Sequence, residues 1–329
     1  MKVLYAIQGT GNGHLARALE LAPYLEEELE IDYLISGRSA ELNFPREFKY
    51  RYHGAYFIFG RKGGIDYGRT FKIIRPFTLM RDIYKCPVRE YDAVLNDFEP
   101  ISAWAAKLKR VKCIGISHQA SFSSPNVPRP DLRSAFFEFA MKNFAPNSQA
   151  MGFHYKAYDE SISLPLIREE IKNGIAVSGD HNLVYLPAYG DEFLIEQLNR
   201  LKGERWKVFS KKEEVSYVNG NVEVYPVNRR VYSEALLTAQ AVLIGAGFQG
   251  TSEALYLKKK MLVVPMVDQY EQLCNAAALD KLGVTILDRI EEDFTDRLER
   301  FLADPNACSY SFEADTRLAA QRIIDALKP

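Results

Sequence analysis

The fold is decided by residues 242–283, which read VLIGAGFQGTSEALYLKKKMLVVPMVDQYEQLCNAAALDKLG. An apolar run ends at Gly245-Ala246-Gly247, and polar residues that suit the start of a helix follow it. A second apolar run ends at Pro265, and a second helical pattern comes after it. Buried runs that alternate with helices predict parallel strands joined by crossover helices, the βαβ unit.

The same alternation continues on both sides of this stretch. Strands are predicted to begin at or next to nine positions: Val3, Ile31, Asp92, Val111, Asn182, Trp206, Val222, Ala241 and Met261. Two such series predict an α/β fold in which two Rossmann-like, doubly wound parallel-sheet domains face each other across a cleft. We place the domains at 1–162 and 163–310. Helical spacing of apolar residues predicts a last helix within 311–329 that packs back toward the first domain.

Composition excludes several classes of protein. The chain has 329 residues and a formal net charge of −1, so its total charge does not favour nucleic-acid binding. Its four cysteines lack CxxC or metal-like spacing and indicate reduced thiols. The opening MKVLYAI is too short for a signal peptide, and no run approaches the ~20 apolar residues that span a bilayer. These features predict a cytoplasmic protein, and no metal site is expected.

The stretch 242–283 also carries polar residues that suit a nucleotide ligand. The helix that follows Gly247 can hold a phosphate on its free N–H groups. Glu253 lies near that helix start, where a carboxylate can accept hydrogen bonds from a ribose diol. On the next helix, Glu271, Gln272 and Asn275 offer groups that suit sugar hydroxyls, and the last two are three residues apart on one face.

A glycine loop, GTGNGH, spans residues 9–14 between the first strand and the first helix. Such a loop lets the backbone approach a phosphate or an oxyanion. It is not the dinucleotide fingerprint, because His14 stands in the place of the third glycine and no carboxylate ends the second strand. NAD is therefore disfavoured, whereas Arg38 leaves NADP open. Gly11, Asn12 and Gly13, together with His118, are assigned to an acceptor or phosphate loop.

His14 is the candidate general base. It follows the first strand at the edge of the sheet where open α/β folds bind ligands, and its ordinary pKa lies near neutral pH. Asp97, in the run NDFEP after another strand, is the candidate that orients its ring. Structural roles, a loop hydrogen bond for His14 and a helix cap for Asp97, remain alternatives.

The combination of Gly247, Glu253, Pro265 and the run EQLCNA from Glu271 resembles the donor-binding signature of GT-B glycosyltransferases. It is similar to the lipid II-forming N-acetylglucosaminyltransferase and to the UDP-glycosyltransferases of plants and animals. GTGNGH resembles the family's first glycine loop, and PLIREEI its interdomain segment. NDFEP, and the way that LIREEI leads into LVYLP, favour a microbial branch of the superfamily.

The resemblance implies a glycosyltransferase that moves a sugar from a nucleotide sugar, UDP-linked, to an acceptor hydroxyl with inversion and without a metal or other cofactor. The first domain would bind the acceptor, which would be a glycan, a lipid-linked molecule or a small molecule. The second domain would bind the donor. The implied donor contacts are Glu253 to ribose, the amides of Gly247, Phe248, Gln249, Gly250 and Thr251 to diphosphate, Arg168 to phosphate, Glu271, Gln272 and Asn275 to sugar, and the backbone of Val227 to the nucleobase. His14 and Asp97 would be catalytic.

Two positions depart from the family pattern. Many plant members have histidine where Gly245 stands, and the second glycine loop of the lipid II enzyme is replaced by LPAYGDE, with Pro187 and Asp191. Three alternatives therefore stay open. They are a sugar-nucleotide epimerase of the same fold, an NADP oxidoreductase, and a sugar-nucleotide-binding protein without catalysis.

Residues 46–89 are strongly basic and aromatic. They hold eleven Lys or Arg and three acids, an excess of eight positive charges in a chain that is almost neutral. One interpretation is an acceptor site, or a surface for peripheral contact with anionic lipid at the inner face of a membrane. The other is a solvated loop region.

Overall fold

The structure is a computed structural model that describes residues 1–10, 12–37, 44–55, 75–266, 269–305 and 308–328. Gly11, Arg38 and a large part of the basic segment, residues 56–74, lie outside the described residues. The predictions made for them are not carried further.

The first domain is built on a parallel sheet of six strands in the order β3-β2-β1-β4-β5-β6. The strands are β1 Lys2–Gln8, β2 Glu30–Ser36, β3 Phe48–Tyr52, β4 Ala93–Asp97, β5 Cys113–Gly115 and β6 Gln149–Ala150. The described helices are α1 Asn12–Leu25, α2 Pro76–Lys85, α3 Pro100–Lys109 and α4 Ala135–Phe144, with 3-10 turns at Val88–Glu90 and Gln119–Ser123. A separate parallel pair joins β7 Gly152–Phe153 to β8 Ile162–Ser163.

The second sheet has seven strands in the order β11-β12-β10-β9-β13-β14-β15. The strands are β9 His181–Tyr185, β10 Trp206–Ser210, β11 Tyr217–Asn219, β12 Val222–Pro226, β13 Ala239–Ile244, β14 Lys260–Val263 and β15 Thr285–Ile286. Only β11 runs antiparallel to its neighbour among the described strands of this sheet. The helices are α5 Glu169–Lys172, α6 Asp191–Leu198, α7 Arg229–Thr238, α8 Phe248–Tyr256, α9 Tyr270–Asp280 and α10 Phe294–Ala303.

Both sheets have the same connectivity. Without the edge strand β11, each runs third, second, first, fourth, fifth, sixth strand, which is the order of a Rossmann fold. The order reverses between β1 and β4 in one sheet and between β9 and β13 in the other, and ligands bind at such reversals. The predicted pair of doubly wound domains is confirmed, and the two reversals place the N-terminal glycine loop and residues 245–247 at ligand-binding edges.

The last helix, α11 Thr316–Leu327, packs on α1 of the first domain. The region predicted to hold this helix starts at Ser311, but the helix begins five residues later, at Thr316. Asp315 is its N-cap residue, because its carboxylate accepts a hydrogen bond from the Leu318 N–H at 2.8 Å. The glycine loop, residues 9–14, was predicted to precede the first helix, whereas α1 begins at Asn12, within that loop. The domain limits at 162 and 310 stay predictions.

Candidate active site

A cavity of about 460 Å³ lies between the two domains, within the size range of ligand sites. Asn12, Gly13 and Ala16 of α1 line it from the first domain. The other lining residues predicted from the sequence lie in the second half of the chain: Arg168, Val227, Gly247, Gln249, Gly250, Glu253 and Gln272. The cavity thus joins the two loops that the sheets bring to their ligand-binding edges.

The start of α8 forms one wall of this cavity. Gly247 is the N-cap residue, and no side chain caps the helix. A Cβ atom built on Gly247 meets no atom within 4 Å, so the space above the first turn is open. The N–H of Thr251 already bonds to the Gly247 carbonyl at 3.2 Å, so the predicted set of amides shortens to those of residues 247–250. These amides and the helix dipole suit an anion.

Glu253 and Arg168 bind each other, which differs from the separate roles predicted for them. The Arg168 Nε and Nη2 atoms each donate to one Glu253 oxygen at 2.6 Å, and Gln249 Nε2 donates to Oε1 at 2.8 Å. Both charged side chains are almost fully buried. Burial favours a lower pKa for Arg168, but the hydrogen bond and charge of Glu253 overcome it and raise the pKa. Glu253 therefore retains little free capacity for two ribose hydroxyls.

The three predicted residues of α9 do not share one environment. Gln272 lines the cavity, and its Oε1 accepts from the Met266 N–H at 2.9 Å. Glu271 accepts from Gln119 Nε2 of the first domain at 3.0 Å. Asn275 is fully buried and donates to the Ala246 carbonyl at 2.9 Å, so its predicted contact with the donor sugar is replaced by a structural one.

Four predicted residues form a joint between the domains instead of a cavity wall. His118 stacks on Phe248 with ring centres 3.8 Å apart, and its Nε2 lies 2.7 Å from Asn275 Oδ1. The Thr251 hydroxyl bonds to Tyr155 at 2.7 Å. Burial lowers the pKa of His118 despite the nearby Glu271. These contacts hold α8 and α9 against the first domain. The polar side-chain atoms that make them are not available to bind a ligand.

Val227 lines the cavity, but only part of its backbone can read a ligand. Its N–H donates to the Ser210 carbonyl at 3.0 Å, which fixes the chain at the end of β12. The carbonyl oxygen is the group left to face a nucleobase. Of the two backbone groups of Val227 that were predicted to contact the base, only the carbonyl oxygen is therefore left for this contact.

His14 and Asp97 meet at the reversal of the first sheet. His14 Nδ1 lies 2.7 Å from Asp97 Oδ1, and its ring stacks at 6.2 Å on Phe98. Burial raises the pKa of Asp97, but the charge of Arg17 and the hydrogen bonds from His14 and Arg17 overcome it and lower that pKa. The ionised carboxylate only accepts, so in the neutral imidazole Nδ1 carries the proton and Nε2 has the lone pair. Among the described residues, Nε2 has no hydrogen-bond partner.

The run NDFEP fixes Asp97 through its neighbours. Phe98 adopts a positive φ of 57°, which turns the chain sharply after β4. Glu99, not Asp97, caps α3: its carboxylate accepts from the N–H groups of Ile101 and Ser102 at 2.8 and 2.6 Å. Asn96 Nδ2 donates to the Glu99 carbonyl at 2.7 Å. Asp97 is thereby left free of capping and points to α1.

Sequence reasoning missed several residues of the site. Arg17 bonds to Asp97, and three tyrosines of the second domain, Tyr185, Tyr189 and Tyr232, line the cavity. Pro187 also lines the cavity; it belongs to the loop LPAYGDE, which differs from the family pattern. The spacing His14-x-x-Arg17 on a helix start was the available signal, since residues three apart share a face.

Several cations of the basic segment are paired. Arg46 bonds to Glu26, Lys49 to Asp32 at 2.6 Å, and Arg81 to Asp82 at 2.9 Å. On α2, Phe77, Met80 and Tyr84 are 88%, 69% and 81% exposed. Within the part of the chain that the structure describes, no helix is long and apolar enough to cross a membrane, and no group of three His, Cys, Asp or Glu could hold a metal ion.

Comparison with solved structures identifies the fold. The chain is similar to MurG of Acinetobacter baumannii, with 16% identity, a TM-score of 0.60 and coverage of 99% of this chain and 98% of that one. It is similar to Arabidopsis thaliana UGT89C1 complexed with UDP-L-rhamnose, with 15% identity, a TM-score of 0.59 and coverage of 98% and 93%. A UDP-N-acetylglucosamine 2-epimerase gives 14% identity, a TM-score of 0.59 and coverage of 99% and 95%. At such identities the likeness shows the GT-B fold alone.

Sequence comparison gives the family. No curated protein sequence matches the chain. Residues 1–304 match the family described as glycosyl transferase family 1. Because this match spans nearly the whole chain, the chain belongs to glycosyl transferase family 1 and is a glycosyltransferase of the GT-B fold.

Proposed function

We propose that this glycosyltransferase uses a nucleotide sugar, UDP-linked, and transfers the sugar to an acceptor hydroxyl with inversion and without a metal. The observation that carries the proposal is the interdomain cavity, which has the uncapped start of α8 in its wall and is also lined by Gly13, the residue before His14. A diphosphate would lie on the amides of residues 247–250. The helix dipole would then stabilise the charge that develops on the leaving diphosphate.

The nucleobase would lie near Val227 and the cavity tyrosines. The carbonyl of Val227 is an acceptor and so suits a base edge that presents an N–H, as N3 of uracil or thymine does. Tyr185, Tyr189 and Tyr232 offer aromatic surface to a planar base. UGT89C1, which shares the fold, is complexed with UDP and with UDP-L-rhamnose. Because the amino group of cytosine can also donate to a single carbonyl, the proposal of UDP over a cytidine nucleotide rests on the likeness to UGT89C1.

His14 would act as general base. Its free Nε2 would take the proton of the acceptor hydroxyl while that oxygen attacks the anomeric carbon and the bond to the nucleoside diphosphate breaks. A single displacement of this kind inverts the anomeric centre. Asp97 would stabilise the imidazolium that forms, through its 2.7 Å contact with Nδ1.

The test is nucleotide binding by thermal shift, in a panel of UDP-, dTDP-, GDP- and CMP-sugars with NADPH as a further ligand. A ligand that binds the native state raises the Tm by mass action. Gly247→Leu adds a Cβ that meets no described atom within 4 Å and directs the side chain into the space above α8, so it should abolish the shift and leave the unliganded Tm unchanged. Gly203→Leu is the matched control, since a Cβ there also meets no atom within 4 Å.

Each outcome decides the proposal. A shift with a UDP-sugar that is lost in Gly247→Leu and kept in Gly203→Leu supports the donor site. A shift that survives in Gly247→Leu, or one with NADPH alone, contradicts it. Release of an epimerised sugar nucleotide without any acceptor would favour the epimerase reading.

We further propose that the protein is cytoplasmic and touches an anionic membrane through α2. Phe77, Met80 and Tyr84 are spaced three and four residues apart and so form one exposed apolar face. Exposed Arg81 and Lys85 lie on the same short helix, and exposed Arg75 directly precedes it. An apolar face with basic neighbours suits the interface of an anionic bilayer.

Vesicle sedimentation tests this contact. Binding to phosphatidylserine vesicles at low salt should fall when Phe77, Met80 and Tyr84 are all changed to Ser. The pair Phe136→Ser and Phe139→Ser on α4 removes aromatic rings of comparable exposure and should leave binding unchanged. Equal binding to neutral phosphatidylcholine, or no loss in the α2 variant, would rule the contact out.

A further inference from the structure

Arg17 is a buried cation that the catalytic cluster depends on. Only 5% of the residue is exposed. Its Nε donates to Asp97 Oδ2 at 2.7 Å and its Nη2 to Oδ1 at 3.1 Å, and the guanidinium lies 5.7 Å from the centre of the Phe153 ring. A buried charge is costly unless it is paired and hydrogen-bonded, and Asp97 meets that need.

The carboxylate of Asp97 therefore serves two partners at once. Oδ2 bonds to Arg17 alone, whereas Oδ1 receives both the Arg17 Nη2 and the His14 Nδ1. The guanidinium also approaches the imidazole, with Nη2 3.4 Å from Nδ1. The fork of Arg17 fixes the plane of the carboxylate, and the carboxylate fixes the plane of the ring.

We infer that Arg17 is a positioning residue for His14, and that it keeps the imidazole neutral by balancing the charge of Asp97. The inference rests on the proposed role of His14 as the base. Without Arg17, the buried carboxylate would have one cation available to it, the protonated ring of His14. The ring would then hold a proton before the acceptor hydroxyl arrives, and its Nε2 could not accept another.

Other charged or titratable groups act on this cluster. Tyr5 lies in β1 beneath it; burial raises the pKa of its phenol, and the charge of Asp97 adds to this. Glu271 of α9 attracts Arg17 across the cleft, and Arg17 in turn disfavours the charged form of His118. None of these groups hydrogen-bonds His14, so within the described residues Asp97 and Arg17 are its direct charged neighbours.

The first experiment is a titration of His14 that needs no substrate. The chain has five histidines, and loss of one Cε1–H signal in His14→Ala assigns the resonance of His14. In Arg17→Gln the midpoint of this titration should rise by at least one pH unit, a tenfold change in the protonation equilibrium. Arg17→Lys keeps the charge but not the fork, so it should give a smaller rise.

The second readout is the pH profile of kcat/KM. Its acidic limb should move to higher pH in Arg17→Gln by the same amount as the His14 titration, while the KM for the donor changes little. The overturning result is a folded Arg17→Gln protein in which the His14 titration stays at the wild-type value. If Arg17→Gln does not fold, Arg17→Met, which also removes the charge, takes its place, and a wild-type His14 titration in that variant overturns the inference.

The two proposals fail in different ways. Full turnover in His14→Ala would end the role of His14 as base, whatever the titration shows. A normal His14 titration in the Arg17 variants would end the inference about Arg17, whether or not a donor has been found.

Discussion

At the scale of single residues, the site is organised by charges that are buried and paired. Arg17 with Asp97 and Arg168 with Glu253 each join distant parts of the chain. The first pair lies at the reversal of one sheet and the second beside the reversal of the other. The charged groups of the cleft are therefore held in place before any ligand is bound.

The pair of Arg168 and Glu253 predicts a large effect on stability. Glu253→Gln removes the buried carboxylate that pairs with Arg168 and leaves only the Glu170 contact at 3.0 Å, and we expect the free energy of unfolding to fall by about 3 kcal/mol, as measured by urea denaturation. Glu234→Gln is the control, because it breaks an exposed pair with Arg230 four residues away. An equal change in the two variants would contradict the account of a buried, structural ion pair.

The sequence predicted His14 and Asp97 as partners because parallel strands end at one edge of a sheet. It could not predict Arg17 as the third member, since an arginine at that place on a helix is usually solvated. It also assigned Arg168 and Glu253 to a ligand. Their 85-residue separation hides a contact that only the packing of α8 against the interdomain segment creates.

At the scale of elements, two helix starts converge on the cleft. α1 brings Asn12 and Gly13, and α8 brings Gly247 and Gly250, to the same cavity. The glycines keep both starts clear of side chains: a Cβ on Gly13 or Gly247 would meet no atom within 4 Å. The amides are therefore accessible from the cavity, and this accessibility makes Gly247→Leu an informative change.

The packing of α11 on the first domain predicts the effect of a core truncation. Ile324 is 2% exposed and belongs to the core cluster that includes α1. Ile324→Ala should lower the free energy of unfolding by about 2–4 kcal/mol through lost burial and a cavity. Leu318→Ala on the same helix, at 59% exposure, should change it little. Equal losses would show that α11 is not docked as described.

Long apolar strands were predictable, and short or polar ones were not. β1 and β13 are buried runs that any reading of periodicity finds. β3, FKYRY, alternates charged and aromatic residues, and β15 has only two residues, so neither stands out from a loop. Their place in the sheet comes from pairing with β2 and β14, which is information from tertiary structure.

At the scale of the whole molecule, the two domains are tied by polar contacts around the cleft. Tyr155 bonds to Thr251, Gln119 to Glu271, and Tyr270 donates to Glu138 at 2.7 Å. On another side, Glu20 of α1 lies 4.0 Å from Arg229 of α7. The relation between the domains is thus fixed in part by carboxylates, whose charge depends on pH.

Glu20 predicts a pH-dependent stability. Burial raises its pKa from the usual 4.5 to about 7; Arg229 opposes the rise and Glu170 adds to it. The native state then binds the proton more tightly than the unfolded state, so stability falls as pH rises from 4.5 to 7. Glu20→Gln should therefore stabilise the protein at pH 8, by about 1 kcal/mol once water at the group is allowed for, and not at pH 4.5.

Urea denaturation of both proteins at several pH values measures this difference. Glu299→Gln, at an exposed position of α10, should follow the wild-type protein throughout. A Glu20→Gln protein with the wild-type pH dependence would show that Glu20 titrates as it does in water.

The packing of α11 on α1 has a consequence for the synthesis of the protein. A ribosome makes α1 well before α11, yet α1 shares one core cluster with Ile323 and Ile324. The part of α1 that α11 covers stays exposed until Thr316–Leu327 has emerged. The domain that is translated first is thus completed last, and a nascent chain stalled before Thr316 would present to chaperones a surface that the finished protein hides.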